Sequence, residues 1–308
     1  MAGQLPHGIA AVKVNATALG GIISSSSPIN IQTENIDTDG RIDSIAQSII
    51  SMSPTATFAT HAITAALALI GLDGFDCSTG AYLSLYAQAR EDGGSRTAGS
   101  THLKYTIMNG IAFPESLSVS QDGSAVLSYQ VVAGYDGSNE PILITATEPL
   151  PAGTEGDFYG IGPVYLAGQL VAGVTGIDVN FGITAEPIFS DGDIRPAFVS
   201  ITTRKPTITI TTLNAPLFVS TIPITGLLGT ALTTWIYLRK RAPIGGYVSD
   251  VTATHVKITA SGIVSIDNAF SASGGAIGES TITVTPYSVA EAAPIVITSA
   301  AVVAYSAE

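Results

Sequence analysis

Residues 93–110 read GGSRTAGSTHLKYTIMNG, and residues 245–262 read GGYVSDVTATHVKITASG. In each stretch a glycine pair leads through small and polar residues to Thr-His-apolar-Lys, then to an alternating run and a closing glycine. Two of the four histidines of the chain, His102 and His255, hold the same place in the two copies. Working outward, a shift of 152 residues carries Asp39-Gly40 onto Asp191-Gly192, Pro54-Thr55 onto Pro206-Thr207, Thr60 onto Thr212 and Gly93-Gly94 onto Gly245-Gly246. One extra residue before Thr254 makes the shift 153, which carries Thr101-His102 onto Thr254-His255 and Pro141–Thr145 onto Pro294–Thr298. The islands keep their order and near-constant spacing, so the chain reads as a tandem duplication, with halves 1–153 and 154–308.

The pattern within each half is that of antiparallel strands. Leu83 and Leu85 alternate with Ser84 and Tyr86, and Phe198–Thr203 and Thr207–Thr211 alternate cleanly. Asp122-Gly123, Asp136-Gly137 and Asp191-Gly192 are turn signals, because glycine reaches positive φ at little cost. Leu103–Phe113 reads as one strand that Pro114 breaks or places at an edge. Ser24–Ser27 before Pro28 reads as a turn, and Thr147–Gly160 as the linker between halves. Thr60 reads as the N-cap of an Ala- and Leu-rich helix over His61–Ile70 that Gly71 ends. A second short helix is expected after Asn214. The expected fold is mainly β: two tandem antiparallel β-barrel or sandwich domains, each with one short helix.

The composition removes several classes of function. The 308 residues carry 24 acids against 12 Lys and Arg, a net charge of −12, so the chain does not hold nucleic acid by neutralising phosphates. A single cysteine, Cys77, allows no internal disulfide. The first residues lack the basic start and apolar core of a secretory signal, and the apolar run Ala62–Leu72 falls short of the roughly 20 residues a membrane helix needs. The expectation is a soluble protein made in a cytoplasm, without a membrane partner.

No catalytic, cofactor or metal motif emerges. On a strand His102 and Lys104 share a face, as do His255 and Lys257, and this reads as a solvated or interface face of a sheet. A metal site needs further converging ligands, and none stands near. The acidic loop Glu34–Asp43 matches no calcium loop, and GGSRTAGS and GGAIG lack the lysine and helix of a phosphate loop. The catalytic, cofactor and metal sets are therefore empty.

The charges fall in blocks. Tyr105–Ile194 holds eleven acids and no Lys or Arg, whereas Arg195–Lys257 holds seven bases and one acid, Asp250. Such a split is either solvated surface or a pair of complementary faces that join neighbouring copies head to tail. Under the second reading Arg239, Lys240 and Arg241 meet acids such as Asp191 and Asp193 of another subunit.

The segments AYLSLYAQAREDGGSRTAGSTHLKYTIMNGI and TTWIYLRKRAPIGGYVSDVTATHVKITASGI resemble the central strands of tail tube proteins of long-tailed bacteriophages. The polar loop before Pro-Thr-x-Thr and the one helix after it are similar too. The resemblance covers most of the chain in pattern and rests on no short diagnostic motif. It implies β-barrel or sandwich domains flanked by a helix, six domains to a ring, and stacked rings through whose lumen DNA passes without specific binding. Two domains in one chain imply trimeric rings with pseudo-sixfold symmetry, whereas a single-domain protein forms hexamers. The implied partners are other copies of the chain and other tail proteins, and the implied place is the virion tail. Three alternatives stay open: another virion part (tail hub, terminator or head decoration protein), a β-sandwich adhesin or binding module, and a β-rich hydrolase.

Overall fold

The computed structural model describes residues 7–304 apart from 38, 40, 41, 79, 90–101, 153–155, 214–226, 272–277 and 289–291. The expected second helix after Asn214, the glycine pair at 93–94 and the start of the chain lie outside the described residues. The chain is mainly β, with antiparallel sheets and one helix among the described residues.

The first repeat contains β1 (His7–Val14), β2 (Thr17–Leu19), β3 (Ile22–Ser26), β4 (Ile31–Ile36), β5 (Ala46–Met52), β6 (Thr55–Thr60), α1 (Ile63–Ile70), β7 (Phe75–Cys77), β8 (Leu83–Ala89), β9 (His102–Ile107), β10 (Gly110–Ser120), β11 (Val126–Ala133) and β12 (Leu143–Glu148). The second contains β13 (Tyr159–Leu166), β14 (Gln169–Val171), β15 (Val174–Asn180), β16 (Ile183–Ile188), β17 (Phe198–Arg204), β18 (Thr207–Thr212), β19 (Leu227–Lys240), β20 (His255–Ser271), β21 (Glu279–Pro286) and β22 (Ile295–Ala301).

The strand registers recur from one repeat to the other, with β8 matched to β19 at a shift of 151. In the first repeat Val12 lies opposite Leu19 and Val14 opposite Thr17; 152 residues on, Val164 lies opposite Val171 and Leu166 opposite Gln169. Ser24, Ser25 and Ser26 pair with Ala59, Phe58 and Thr57, as Gly176, Ile177 and Asp178 pair with Thr211, Ile210 and Thr209. Lys104 lies opposite Thr145 and Tyr105 opposite Ile144, as Lys257 lies opposite Thr298 and Ile258 opposite Ile297, each 153 residues on. Even the irregularities recur, since the shift between Ile9 and Ala11 reappears between Ile161 and Val164. A one-residue slip would turn every buried side chain to the opposite face, so register is under strong physical constraint, and its recurrence marks two copies of one fold.

Local chemistry explains where expectation and structure part. Ser24–Ser26 is strand, not turn, because these residues pair with β6 and Ser26 Oγ reaches Thr57 Oγ1 at 2.8 Å. Thr60 ends β6 rather than capping α1; its Oγ1 accepts the Ala62 N–H at 3.0 Å and donates to Gly20 O at 2.8 Å, which turns the chain into the helix at Ile63. Gly71 closes α1 at φ 77°, its N–H on Leu67 O at 2.9 Å. The expected single strand Leu103–Phe113 is two, parted at Met108-Asn109, whereas β20 runs unbroken through the equivalent place. Pro114 does not end β10. On one side β10 pairs with β7 through Gly110–Ala112 and with β15 through Ser116–Ser120, so the proline falls in the gap where no ladder N–H is needed. Because the break at Met108-Asn109 holds one residue more than β20 does there, Gly110 answers Gly262 at a shift of 152, and both permit close backbone crossing: a Cβ would meet Val132 O at 2.2 Å and Thr285 O at 2.3 Å.

Compactness divides the chain differently from the repeat. One unit comprises Met1–Pro114, Ser128–Gly156 and Thr184–Thr202; the other comprises Glu115–Leu127, Asp157–Ile183 and Thr203–Glu308. Each unit thus holds most of one repeat and a piece of the other. In the first unit, sheet β12-β9-β8-β1-β2 accompanies the strands β3-β6-β11 and the N-terminal half of β10, with the hairpins β4-β5 and β16-β17. In the second unit the order is β14-β13-β19-β20-β21-β18-β15, then the C-terminal half of β10, with β22 beside β20. The sheets are open: no closed barrel occurs among the described residues. The first unit's core is built on Phe58, Ile63, Leu83, Ile107, Phe113 and Tyr129, the second's on Val164, Ile208, Ile236, Ile258, Ile282 and Val284, all at most 2% exposed. No helix among the described residues is long and apolar enough to cross a membrane.

Candidate assembly surface

The repeated Thr-His-x-Lys stretch is structural in both copies. His102 opens β9 and accepts the Ala89 N–H through Nδ1 at 3.1 Å; His255 opens β20 and accepts the Lys240 N–H through Nδ1 at 2.9 Å. Ala89 and Lys240 are the last residues of β8 and β19, beyond the last ladder pairs, Ala87 with Leu103 and Leu238 with Val256, so each imidazole supplies an acceptor at the loop end of its hairpin. The rings are 2% and 0% exposed, which corrects the reading of a solvated or interface face. Lys257 nevertheless leaves the core, its Nζ 5.2 Å from the Trp235 ring centroid.

The expected intersubunit charges are engaged within the chain. Arg239 grips Asp250, the one acid of the basic block, through Nε at 2.8 Å and Nη2 at 3.2 Å, and stacks 4.4 Å over Tyr247. Lys240 Nζ reaches Asp157 at 2.8 Å, and Arg241 Nη2 donates to Gly123 O at 2.6 Å. Asp191 and Asp193 stand in the β16–β17 loop of the first unit, whereas Arg239, Lys240 and Arg241 belong to the second. Asp191 takes a left-handed turn at φ 56°, and Asp193 Oδ1 accepts the Arg195 N–H at 3.0 Å.

What the first unit does build is a socket and its occupant. The occupant is the loop of the second-repeat arm, β16–β17. Ile194 O accepts the Met52 N–H and Pro196 O accepts the Tyr135 N–H, both at 2.8 Å. Arg195 Nε donates to Glu140 Oε2 at 3.0 Å, and the guanidinium lies 5.0 Å over the Tyr135 ring. That ion pair holds the Glu140 carboxyl below its ordinary range. Beside it runs an open cleft of about 800 Å³, lined by Asn109, Tyr135, Asp136, Asn139, Asp191 and Asp193. The Asp136 carboxylate is committed to its own turn, accepting from the backbone N–H of Ser138 and Asn139 and from Asn139 Nδ2, which lowers its pKa. Among the described residues no group of three or more His, Cys, Asp or Glu is placed to hold a metal.

The first-repeat arm, β4–β5, has no such seat among the described residues. Every residue of β4 is exposed, and so are Ile45, Ile49 and Ile50; Ile42 at the tip is 104% exposed, whereas its equivalent Ile194 is half-buried. These isoleucines, about half exposed apart from Ile42, make an apolar surface on a two-stranded hairpin. In the sequence Ile29, Ile31 and Ile36 read as a strand leading into a polar loop, which β4 bears out, whereas β5 stays hidden because its alternation lacks buried positions to mark it.

No known family model matches the chain, and no curated protein is significantly similar to it.

Proposed function

We propose that this protein is a virion structural subunit that assembles into stacked rings, forming the tail tube of a long-tailed bacteriophage through which DNA passes. The observation that carries this reading is the register-for-register duplication: two copies of one open, antiparallel β fold stand in one chain, offering two equivalent positions to a ring. Three chains then supply six positions, the trimeric, pseudo-hexameric ring. Tube-type β-barrel or sandwich domains belong to the same proposal, with closure arising between subunits rather than within one. Two further features support it. The net charge of −12 suits a lumen along which DNA slides without adhering. The exposed isoleucines of the first arm suit a surface covered by a neighbour.

The test is negative-stain microscopy with sedimentation of the purified full chain. Rings or tubes with a central channel, and a ring mass that is a multiple of three chains, are the expected result. A monodisperse monomer at high concentration refutes it. Copy number in purified particles separates the tube, with many rings, from a tail hub or terminator with one.

A further inference from the structure

The repeat makes the junction within the chain a template. The second arm is seated by Met52 and Tyr135 of the first repeat; 152 residues after Met52 stands Arg204, and 153 after Tyr135 stands Ser288. Both line an open cleft of about 450 Å³ in the second unit, together with Lys205, Thr285 and Pro286. The backbone around it repeats that of the first socket. Gly134 N–H donates to Asn109 O at 2.9 Å, and the equivalent Tyr287 N–H donates to Ser261 O at 3.2 Å. Ser53 N–H donates to Asn30 O, and the equivalent Lys205 N–H donates to Gly182 O. The side chains have changed sign together with those of the loop they would receive. The first socket presents Glu140 to Arg195 of the second arm. The second presents Arg204 and Lys205, and the residue of the first arm equivalent to Arg195 is Asp43, in a loop that also carries Asp37, Asp39 and Arg41.

We infer that the first-arm loop of one chain, with Ile42 and Asp43 at its tip, docks in the cleft at Arg204, Lys205 and Ser288 of a second copy of this chain. The inference rests on the self-assembly in the reading above and names its contact. Ile42 O takes the place of Ile194 O on the backbone at Arg204, and Ser44 O takes that of Pro196 O on the Ser288 N–H. The same rule extends to the strands: the pairing of β15 with Ser116–Ser120 of β10 inside the chain corresponds to β3 of one copy beside β20 of the next. Such a contact is heterologous, so it propagates head to tail until a ring closes.

The test mixes two single variants, Ser44→Cys and Ser288→Cys, under mild oxidation. The native Cys77 stays silent, since burial pushes its thiol up to about 12. The expected result is a covalent dimer whose disulfide-linked peptides join 44 to 288, and the Ser44→Cys/Ser288→Cys double variant gives a ladder that ends at a closed trimer. Asp43→Arg or Arg204→Asp alone weakens association about tenfold, and the two together restore it. Assembly in sedimentation without a 44–288 link overturns this seat and leaves the self-assembly reading standing. Neither assembly nor link overturns both. A link without rings or tubes keeps the seat and overturns the tube. A link whose strength ignores both charge reversals overturns the pairing of Asp43 with the basic rim.

Discussion

The histidines at the heart of the repeated stretch permit a quantitative test. His255 is fully buried; its Nδ1 accepts the Lys240 N–H at 2.9 Å, so the ring proton is on Nε2, which faces Ser249 O at 3.0 Å. His255→Ala removes the acceptor of the Lys240 N–H and the donor to Ser249 O, both part-buried hydrogen bonds. At roughly 1–2 kcal/mol for each orphaned group, the loss is about 2–4 kcal/mol. His102 serves one such group, the Ala89 N–H, so His102→Ala costs less, about 1–3 kcal/mol. The assay is urea unfolding followed by two probes, because the chain has two compact units that need not unfold together. Trp235, the single tryptophan, lies on β19 opposite Thr259 of β20, in the same unit as His255. With a slope of about 1.5 kcal/mol/M, His255→Ala lowers the fluorescence midpoint by about 2 M, whereas His102→Ala leaves that transition in place and shifts only the far-UV signal of the first unit. A His255→Ala midpoint within 0.3 M of the parent, a threshold of about 0.5 kcal/mol, refutes the hydrogen-bond role. So does a His102→Ala loss larger than that of His255→Ala.

Three further outcomes follow from the same reasoning. Tyr129 is 0% exposed, stacks on Phe58 at 5.1 Å and has no partner for its Oη among the described residues, and burial raises its pKa; Tyr129→Phe therefore keeps stability unchanged or raises it by about 1 kcal/mol in thermal unfolding. At Gly182, with φ +58°, a Cβ would stand 1.9 Å from Lys205 O, so Gly182→Ala costs about 2–4 kcal/mol; Asn30→Gly, at the equivalent position with φ 51°, costs no more than its own side-chain hydrogen bonds, about 1 kcal/mol, and calorimetry of both variants gives the contrast. Glu140 is held below its ordinary 4.5 by the hydrogen bond from Arg195, so its contribution is complete above that value and lost as the pH falls through the lower folded one; the carboxylate is largely exposed, so the effect stays under about 1 kcal/mol, and Glu140→Gln flattens the acid limb of the stability–pH curve by that amount.

The duplication was legible in the sequence because turn chemistry and alternation are local. Asp-Gly and Gly-Gly pairs recur where the backbone must turn, and the period-2 pattern of β18 or β8 survives wherever one face is buried. The elements that were missed lack such a pattern. β5 lies in a hairpin with little to bury, and β13 hides behind a stretch that reads as linker through Gly160. Pro114 read as a break because a single sequence does not reveal that β10 changes partner at that residue.

The candidate site divides in the same way. The blocks of opposite charge were plain in the sequence, and so was the idea that they meet. Only the tertiary structure decided which charges meet: Arg239 turns to Asp250, Lys240 to Asp157 and Arg195 to Glu140, all inside one chain. A charge carries no address along the chain, and long side chains pair with whatever acid the fold brings within reach. His102 and His255 show the converse. The sequence by itself determined that they are equivalent; the structure decided that each accepts the N–H of the last residue of the preceding strand. Two tandem copies of one β fold were written into the spacing of turns and strands. That the second arm sits on its own chain was not, because strand edges and sockets recognise backbone and shape, which the two repeats present alike.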